Sequence, residues 1–222
     1  MKAVIFDMFE TLITEYGHSE YKSREISRDL QLDWQEFVKI WHDLEHDRSI
    51  GKISYEDVIG LIMKQLGCKN EEAYDTVIRK RYETKADCFN YLHKDIIPVL
   101  DKLKMEGYKI GLISNCFSEE AIIIRESILL PYFDAAVLSY EVGYAKPDRR
   151  IYEQCACRLG VSPEECLYIG DGGCNELFGA RDFGMRAVQA GWYIKEYSRD
   201  YKIEGFESLD SPLQILELLN DQ

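Results

Sequence analysis

Short, continuous runs of apolar residues are the feature that most limits what this chain can fold into. Five runs of four to six residues recur along its 222 residues, and they are Ala3–Phe6, Tyr108–Ile113, Ala135–Ser139, Cys166–Gly170 and Arg186–Ala190. A continuous run is typical of a strand that is buried on both faces of a parallel sheet. Helical patterns separate the later runs, so the chain alternates helix and strand from about residue 92 onward. The sequence therefore predicts an α/β fold with a doubly wound parallel sheet.

Residues 15–88 break this alternation, because they contain almost no strand-like run. Helical patterns there fit Ser19–Leu30, Trp34–Asp47, Tyr55–Leu66 and Glu71–Lys85. An insert that directly follows the first strand lies at the sheet edge where open parallel sheets bind ligands. We therefore expect these helices to form a lid over a functional site, and the alternative is a helical decoration away from the site.

Two Ser-Pro pairs predict helix starts in the second half of the chain. Ser162-Pro163-Glu164-Glu165 offers an N-cap residue, a proline at the first helical position and a glutamate at the third. Ser211-Pro212 predicts the start of the last helix in the same way.

Charge and cysteine content exclude several classes of partner. The chain has 27 Lys and Arg against 40 Asp and Glu, a net charge of −13. We expect no nucleic-acid partner and no anionic membrane, because there is no excess of basic charge. The apolar runs are also far shorter than the ~20 residues of a membrane helix. Seven cysteines without a CxxC pair, and no signal-peptide core, predict reduced thiols and a cytoplasmic protein. The sequence does not distinguish a monomer from a homodimer.

Polar residues stand where the predicted strands end. Asp7 follows the first strand, Ser114 and Asn115 end the second, Lys146 lies after the third, and Asp171 follows the fourth. The carboxyl ends of parallel strands meet at one edge of the sheet, so these side chains should converge. Two carboxylates at close range repel unless a cation neutralises them, and Mg²⁺ accepts carboxylates together with phosphate oxygens. The pattern predicts a site for a metal and a phosphoryl group, although each residue alone also fits a turn, a cap or a solvated loop.

Four motifs in order carry a resemblance to a known family. They are VIFDMFETL, LISN, AKPD and YIGDGGCNE, at Val4–Leu12, Leu112–Asn115, Ala145–Asp148 and Tyr168–Glu176. With these motifs the chain resembles the haloacid dehalogenase (HAD) superfamily of hydrolases over essentially its whole length. The resemblance implies a Rossmann-like core of residues 1–14 and 89–222, and a cap of the all-helical type at residues 15–88.

The resemblance implies a Mg²⁺-dependent hydrolase, with a phosphatase on a small phosphorylated metabolite as the leading expectation. Asp7 would be the nucleophile that takes the phosphoryl group as an aspartyl phosphate. Asp7, the backbone carbonyl of Phe9 and Asp171 would hold Mg²⁺. Glu176 would be a further acid on the metal side, acting directly or through water.

The resemblance also assigns the groups that bind the phosphoryl oxygens. Ser114 and the backbone amide of Asn115 would bind these oxygens. Lys146 would neutralise Asp7 and the transferred group. Thr11 belongs with the substrate-binding set and would support the first loop.

Phe9 is the departure that matters most. In the phosphatase branch this position is usually a second Asp, which protonates the leaving group and then activates water. General acid–base help is worth roughly 10²–10⁴-fold, and Phe has no titratable group to supply it. Glu10, where the family usually has Gly, is the first candidate for the missing acid, and a solvated loop carboxylate is the alternative.

Other branches of the family also lack an acid at this position. The 2-haloacid dehalogenases often have an aromatic residue there, but they work without metal and use Ser where this chain has Asp171. Their substrate-binding Arg lies in a cap segment that resembles Trp41–Glu45, where this chain has His42. The phosphonate-cleaving branch uses a cap lysine that forms a Schiff base, and nothing in the sequence marks a cap lysine as buried. The cap lysines considered are Lys22, Lys39 and Lys52.

Three further points stay open at this level. A non-catalytic phosphate-binding protein is the remaining alternative, and it rests on the absence of an acid at Phe9. The cap loops at Ser49–Ile53 and Glu15–His18 should carry specificity, but their side chains do not identify a ligand. His42 and His46 have the i, i+4 spacing of a Zn²⁺ site without an evident third ligand, so a plain helix face is favoured.

Overall fold

A computed structural model describes residues 1–17, 20–197 and 202–220 of the chain. His18 and Ser19, placed above in a specificity loop and at a helix start, lie outside the described residues. Six strands form the sheet: β1 Ala3–Phe6, β2 Lys109–Ser114, β3 Ala135–Leu138, β4 Cys166–Gly170, β5 Arg186–Ala190 and β6 Ser208–Leu209. None of the helices in the described ranges has both the length and the apolar composition that crossing a membrane requires.

The strand order is β3-β2-β1-β4-β5-β6, and every pair is parallel. This order confirms the predicted doubly wound α/β fold. The chain winds outward from β1 in both directions, so β1 lies between β2 and β4. Phe6, the last residue of β1, pairs with Leu112 of β2 and Ile169 of β4. The carboxyl end of β1 is therefore the switch point at which such sheets bind ligands.

The two faces of the sheet bury different sets of helices. Along β1, Val4 and Phe6 belong to one buried cluster and Ala3 and Ile5 to the other, each 0–1% exposed. Because both faces are covered, all four residues must be apolar, and this explains the continuous run in the sequence. The helices outside residues 15–88 are α6 Ile96–Met105, α7 Ser118–Glu126, α8 Ser139–Val142, α9 Arg149–Leu159, α10 Glu176–Phe183, α11 Trp192–Tyr197 and α12 Gln214–Asn220. The first cluster takes residues from α6, α7, α11 and α12, and the second from α9 and α10.

In the described part of the chain, five α-helices lie between β1 and α6, and we refer to them as the cap. They are α1 Ser23–Asp29, α2 Trp34–Asp43, α3 Glu45–Ser49, α4 Tyr55–Gln65 and α5 Glu71–Asp87. Their apolar faces form a separate buried cluster that includes Ile26, Phe37, Val58 and Val77. Side chains cap three of these helices: the acceptors are Asp33 for α2, Ser54 for α4 and Asn70 for α5.

Several helix boundaries differ from those predicted. The segment Trp34–Asp47 is not one helix, because Leu44, with φ −96° and ψ 1°, separates α2 from α3. The helix predicted at Ser162 is wrong: the capping box is present, but it closes only a 3₁₀ turn over Pro163–Glu165, since β4 begins at once. The last helix begins at Gln214, two residues after Pro212.

Candidate active site

The predicted strand-end residues lie at the carboxyl edge of the central strands. The backbone N–H of Asp7 donates to the carbonyl of Ile169 at 2.8 Å, so the pairing between β1 and β4 continues to the carboxylate residue. Asp7 is 5% exposed and Ser114, the last residue of β2, is fully buried. Asp171 directly follows β4. The sheet therefore presents a buried carboxylate and a buried hydroxyl at adjacent strand ends.

The ammonium group of Lys146 lies at the centre of this edge. Its Nζ donates to the carboxylate of Asp7, to Oε2 of Glu176 at 2.5 Å and to the hydroxyl of Tyr168 at 3.3 Å. Burial opposes the charge on Lys146, but Asp7 and Glu176 together outweigh it and raise the pKa of the amine. Lys146 is therefore a fixed cation in contact with Asp7.

Asn115 holds the loop that carries Lys146. Its side-chain Oδ1 accepts from the backbone N–H of Lys146 at 2.7 Å, and its Nδ2 donates to the backbone carbonyl of Lys146 at 3.1 Å. The Asn115 side chain is thus committed to positioning Lys146. The hydroxyl of Ser114 makes one long bond, of 3.4 Å, to the carbonyl of Asn115.

Three acidic residues meet beside Lys146. Carboxylate oxygens of Asp7, Asp171 and Glu176 lie within 4.8 Å of one another. Burial, followed by repulsion from Glu176, raises the pKa of Asp7 well above its usual range and that of Asp171 to about 6. One ammonium group cannot balance three ionised carboxylates. The donor set fits a hard divalent cation, because oxygen ligands of this charge are the ones that Mg²⁺ prefers.

Glu176 reaches this cluster from the first turn of α10. Its Oε1 accepts from the N–H of Gly172 at 2.9 Å, and its Oε2 accepts from the hydroxyl of Tyr168 at 2.7 Å and from Lys146. The carboxylate passes so close to Gly170 that a Cβ there would lie 2.0 Å from Oε1. Both oxygens of Glu176 are therefore engaged by the chain, and a side chain at position 170 would displace this carboxylate from its partners.

The first loop, after β1, contains Phe9, Glu10 and Thr11. Glu10 has a φ of 55°, in the left-handed region that favours glycine. Its two carboxylate oxygens accept from the Thr14 hydroxyl at 2.5 Å and from the N–H of Glu15 at 2.9 Å, and burial raises its pKa. The carboxylate of Glu10 thus closes its own loop. The Thr11 hydroxyl is buried without a hydrogen-bond partner among the described residues.

A cavity of about 350 Å³ separates the cap from the core beside this edge. Phe9 and Asn115 contribute to its wall from the core. Among the described residues, three buried basic residues contribute from the cap, Arg48, Arg81 and Lys85, together with the exposed Lys22. Each of the three is less than 10% exposed. The cavity therefore places buried cations of the cap opposite Phe9 and Asn115 of the core.

Sequence reasoning missed these cap cations. The cap lysines Lys22, Lys39 and Lys52 are exposed, whereas Lys85, in α5 of the cap, is buried. The sequence did contain a signal for the burial of two of these cations. Val77, Arg81 and Lys85 lie on one face of α5 at positions i, i+4 and i+8, and the apolar Val77 indicates that this face is buried. The remaining cap candidates, His42 and His46, are exposed.

Comparisons with known proteins agree with this fold. Residues 1–184 match the sequence model of the haloacid dehalogenase-like hydrolases. A glyceraldehyde 3-phosphate phosphatase of Methanopyrus kandleri is 27% identical over 234 aligned positions, covering 100% of this chain and 98% of the relative. The solved structure of a HAD phosphatase from Thermococcus onnurineus has a TM-score of 0.68 at 23% identity, covering 99% of this chain and 98% of the other.

A dehalogenase shares the fold equally well. The 2-haloacid dehalogenase of Pseudomonas syringae pv. Tomato DC3000 has a TM-score of 0.74 at 18% identity, and the match covers 100% of this chain and 99% of the other. The fold alone thus does not separate these two chemistries. The match to the family over residues 1–184 nevertheless establishes its membership: the chain belongs to the haloacid dehalogenase-like hydrolases.

Proposed function

We propose that this protein is a Mg²⁺-dependent phosphatase that acts on a small phosphorylated metabolite through an aspartyl phosphate at Asp7. The observation that carries the proposal is the buried contact between the Asp7 carboxylate and the Lys146 ammonium at the switch point of the sheet. The relative named as a glyceraldehyde 3-phosphate phosphatase supports the same reaction class.

Asp7 would attack the phosphorus atom, forming a bond from its carboxylate oxygen while the bond to the leaving oxygen breaks. Lys146 would balance the negative charge that develops on the phosphoryl oxygens, and Ser114 and the amide of Asn115 would bind those oxygens. Water would then cleave the acyl phosphate and regenerate the Asp7 carboxylate. Mg²⁺, when bound, supplies charge neutralisation and orientation of the phosphoryl group.

Asp7, Asp171 and the backbone carbonyl of Phe9 would hold the ion. Glu176 has a different task in this proposal, because Lys146, Tyr168 and Gly172 already occupy its oxygens. It would hold Lys146 in place and act on the metal only through water.

Carbon–halogen cleavage is the second candidate, and Phe9 is the residue that favours it. The acidic cluster of Asp7, Asp171 and Glu176 opposes it, since a metal-free site gains nothing from three adjacent carboxylates. Carbon–phosphorus cleavage through a Schiff base needs a neutral amine. Burial opposes the charge on Lys85, but Glu120 and Glu15 outweigh it and raise its pKa, so this amine stays protonated.

Turnover of a broad panel of phosphate monoesters, with Mg²⁺ and again with EDTA, tests the proposal. Asp7→Asn should abolish turnover, because an amide cannot form an acyl phosphate. Asp182→Asn is the matched control, since that aspartate has an exposed side chain on α10 away from the cluster. Full activity in EDTA, or wild-type turnover by Asp7→Asn, would contradict the proposal, and release of halide from 2-haloacids would support the second candidate.

A further inference from the structure

One buried cation in the cavity between the cap and the core forms no ion pair with any described residue. Arg48 lies in the last turn of α3, is 2% exposed and contributes to the cavity wall together with Phe9 and Asn115. Its Nε and Nη1 atoms are buried and have no hydrogen-bond partner in residues 1–17, 20–197 and 202–220. The other two buried cations of the cavity are paired: Arg81 binds Glu119 at 3.0 Å and Lys85 binds Glu120 at 2.5 Å.

Two aromatic rings fix the plane of the Arg48 guanidinium group. Its central carbon lies 3.7 Å from the ring centre of Trp41, in the cap, and 4.2 Å from that of Phe117, in the core. Stacking of this kind holds the group by its faces, so it does not use the hydrogen-bond donors, which lie in the plane. The side chain is thus positioned between the cap and the core with donors that no residue of the described chain uses.

An unpaired charge at this burial is costly, and an anionic ligand that pairs with it would offset that cost. Burial also lowers the pKa of Arg48 to about 10, which still leaves it protonated at neutral pH. A planar guanidinium group matches carboxylate and phosphate oxygens in a two-point contact. The ligand chemistry that fits is therefore an oxyanion.

We propose that Arg48 binds a second anionic group of the substrate, a carboxylate or a phosphate, at the end remote from the phosphoryl group that reacts at Asp7. The proposal rests on the proposed function, and it narrows the substrate to phosphorylated acids or bisphosphates. Neutral phosphorylated alcohols leave the Arg48 donors unused and are the poorer substrates.

Matched pairs of substrates test this assignment. One series consists of ω-phosphorylated carboxylic acids with one to four methylene groups, each compared with its neutral amide of equal length. A second series compares alkanediol bisphosphates with the corresponding monophosphates, which distinguishes a phosphate from a carboxylate as the second anion. In at least one series we expect kcat/KM to favour the anionic member by about tenfold or more, the effect of a hydrogen bond to a charged group.

Arg48→Met should bring that preference to within about twofold while changing kcat/KM for 4-nitrophenyl phosphate, which has no second anion, by less than about threefold. Arg48→Lys should keep part of the preference, since it retains the charge but not the two-point contact. Arg79→Met, an exposed arginine of α5 paired with Glu83, is the control and should leave the preference intact. Melting curves of all variants establish that each is folded.

Two results would overturn the assignment. One is the absence of a preference at every spacer length in the wild type. The other is an equal loss on all substrates in Arg48→Met, which would make Arg48 a structural residue only. Failure of the anion site and failure of the proposed function are distinguished by calorimetry, because binding needs no turnover. The binding of ω-phosphonocarboxylates is compared with that of their amides. If wild type prefers the carboxylates and Arg48→Met does not, the anion site is supported even if no phosphoester is hydrolysed.

Discussion

Arg81 joins the cap to the core through ion pairs that solvent hardly reaches. From α5 its Nε donates to Glu119 of α7 at 3.0 Å, its Nη2 to Glu120 at 3.3 Å and its Nη1 to the carbonyl of Tyr21 at 2.9 Å. Glu120 has a second partner in Lys85, but no other cation is paired with Glu119 among the described residues. Arg81→Met therefore leaves Glu119, which is 0% exposed, as an unpaired buried charge.

The cost of this substitution follows from the burial. Breaking a buried ion pair by removing one partner destabilises a protein by roughly 3–5 kcal/mol. In a chain of this length each kcal/mol shifts the melting temperature by about 2–4 °C, so we expect a drop of about 6–20 °C. Arg81→Met combined with Glu119→Leu removes both charges and should recover most of the loss.

The loss should also depend on pH. Burial raises the pKa of Glu119 above its ordinary value of 4.5 even beside Arg81, and removal of the cation raises it further. A carboxyl group whose pKa is raised by folding loses its stabilising contribution as the pH rises through the folded value. The deficit of Arg81→Met should therefore be larger at pH 8 than at pH 5.

Urea and thermal unfolding of the single and double variants measure these effects. Arg79→Met is the matched control on the same helix: its pair with Glu83 is exposed and should contribute no more than about 1 kcal/mol. The reasoning is refuted if Arg81→Met is as stable as Arg79→Met, or if the double variant is no more stable than Arg81→Met alone.

Two further predictions concern the first loop. Phe9→Asp should raise turnover of alkyl phosphates by at most about tenfold, which is below the usual contribution of a general acid. The reason is that the Lys85 ammonium, 5.1 Å from the Phe9 ring centre, lowers the pKa of the new carboxyl group. Rates over a series of phosphoesters of graded leaving-group pKa measure this effect. Glu10→Gln should lower turnover far less than the roughly 10²-fold loss expected for a general acid, since the Glu10 carboxylate accepts from the Thr14 hydroxyl and the Glu15 N–H. A steeper dependence of the rate on leaving-group pKa in this variant would instead identify Glu10 as the acid.

The strands were predictable because burial on both faces leaves a continuous apolar run, and β1–β5 all fall on such runs. The two-residue β6, Ser208–Leu209, was not, since so short a strand has no pattern of its own. The prediction of a helix from its capping signal was wrong where the next strand leaves no room for more than one turn. The capping signal at Ser162 was correct as local chemistry, but only one turn fits before β4.

Convergence of the strand-end residues was also predictable, because parallel topology brings those ends together. The partners of those residues were not. Nothing in the sequence showed that Asn115 would hold the backbone of Lys146, or that Glu176 would bind Lys146 and Tyr168. Such contacts depend on how loops from distant parts of the chain meet. The ion pairs between the cap and the core likewise depend on tertiary packing, which no local sequence pattern predicts.

In the proposed phosphatase, the environment of Phe9 would limit the leaving groups that the site can expel. A leaving oxygen beside Phe9 faces an apolar ring, with the Lys85 ammonium as the neighbouring charge. Glu120 and Glu15 outweigh the effect of burial and raise the pKa of Lys85, so this amine holds its proton too tightly to be an efficient acid near neutral pH. It can still stabilise a negative charge on a departing oxygen. Groups that leave as stable anions need only that stabilisation, whereas alkoxides need a proton, so acyl phosphates and phosphoanhydrides suit this geometry better than sugar phosphates.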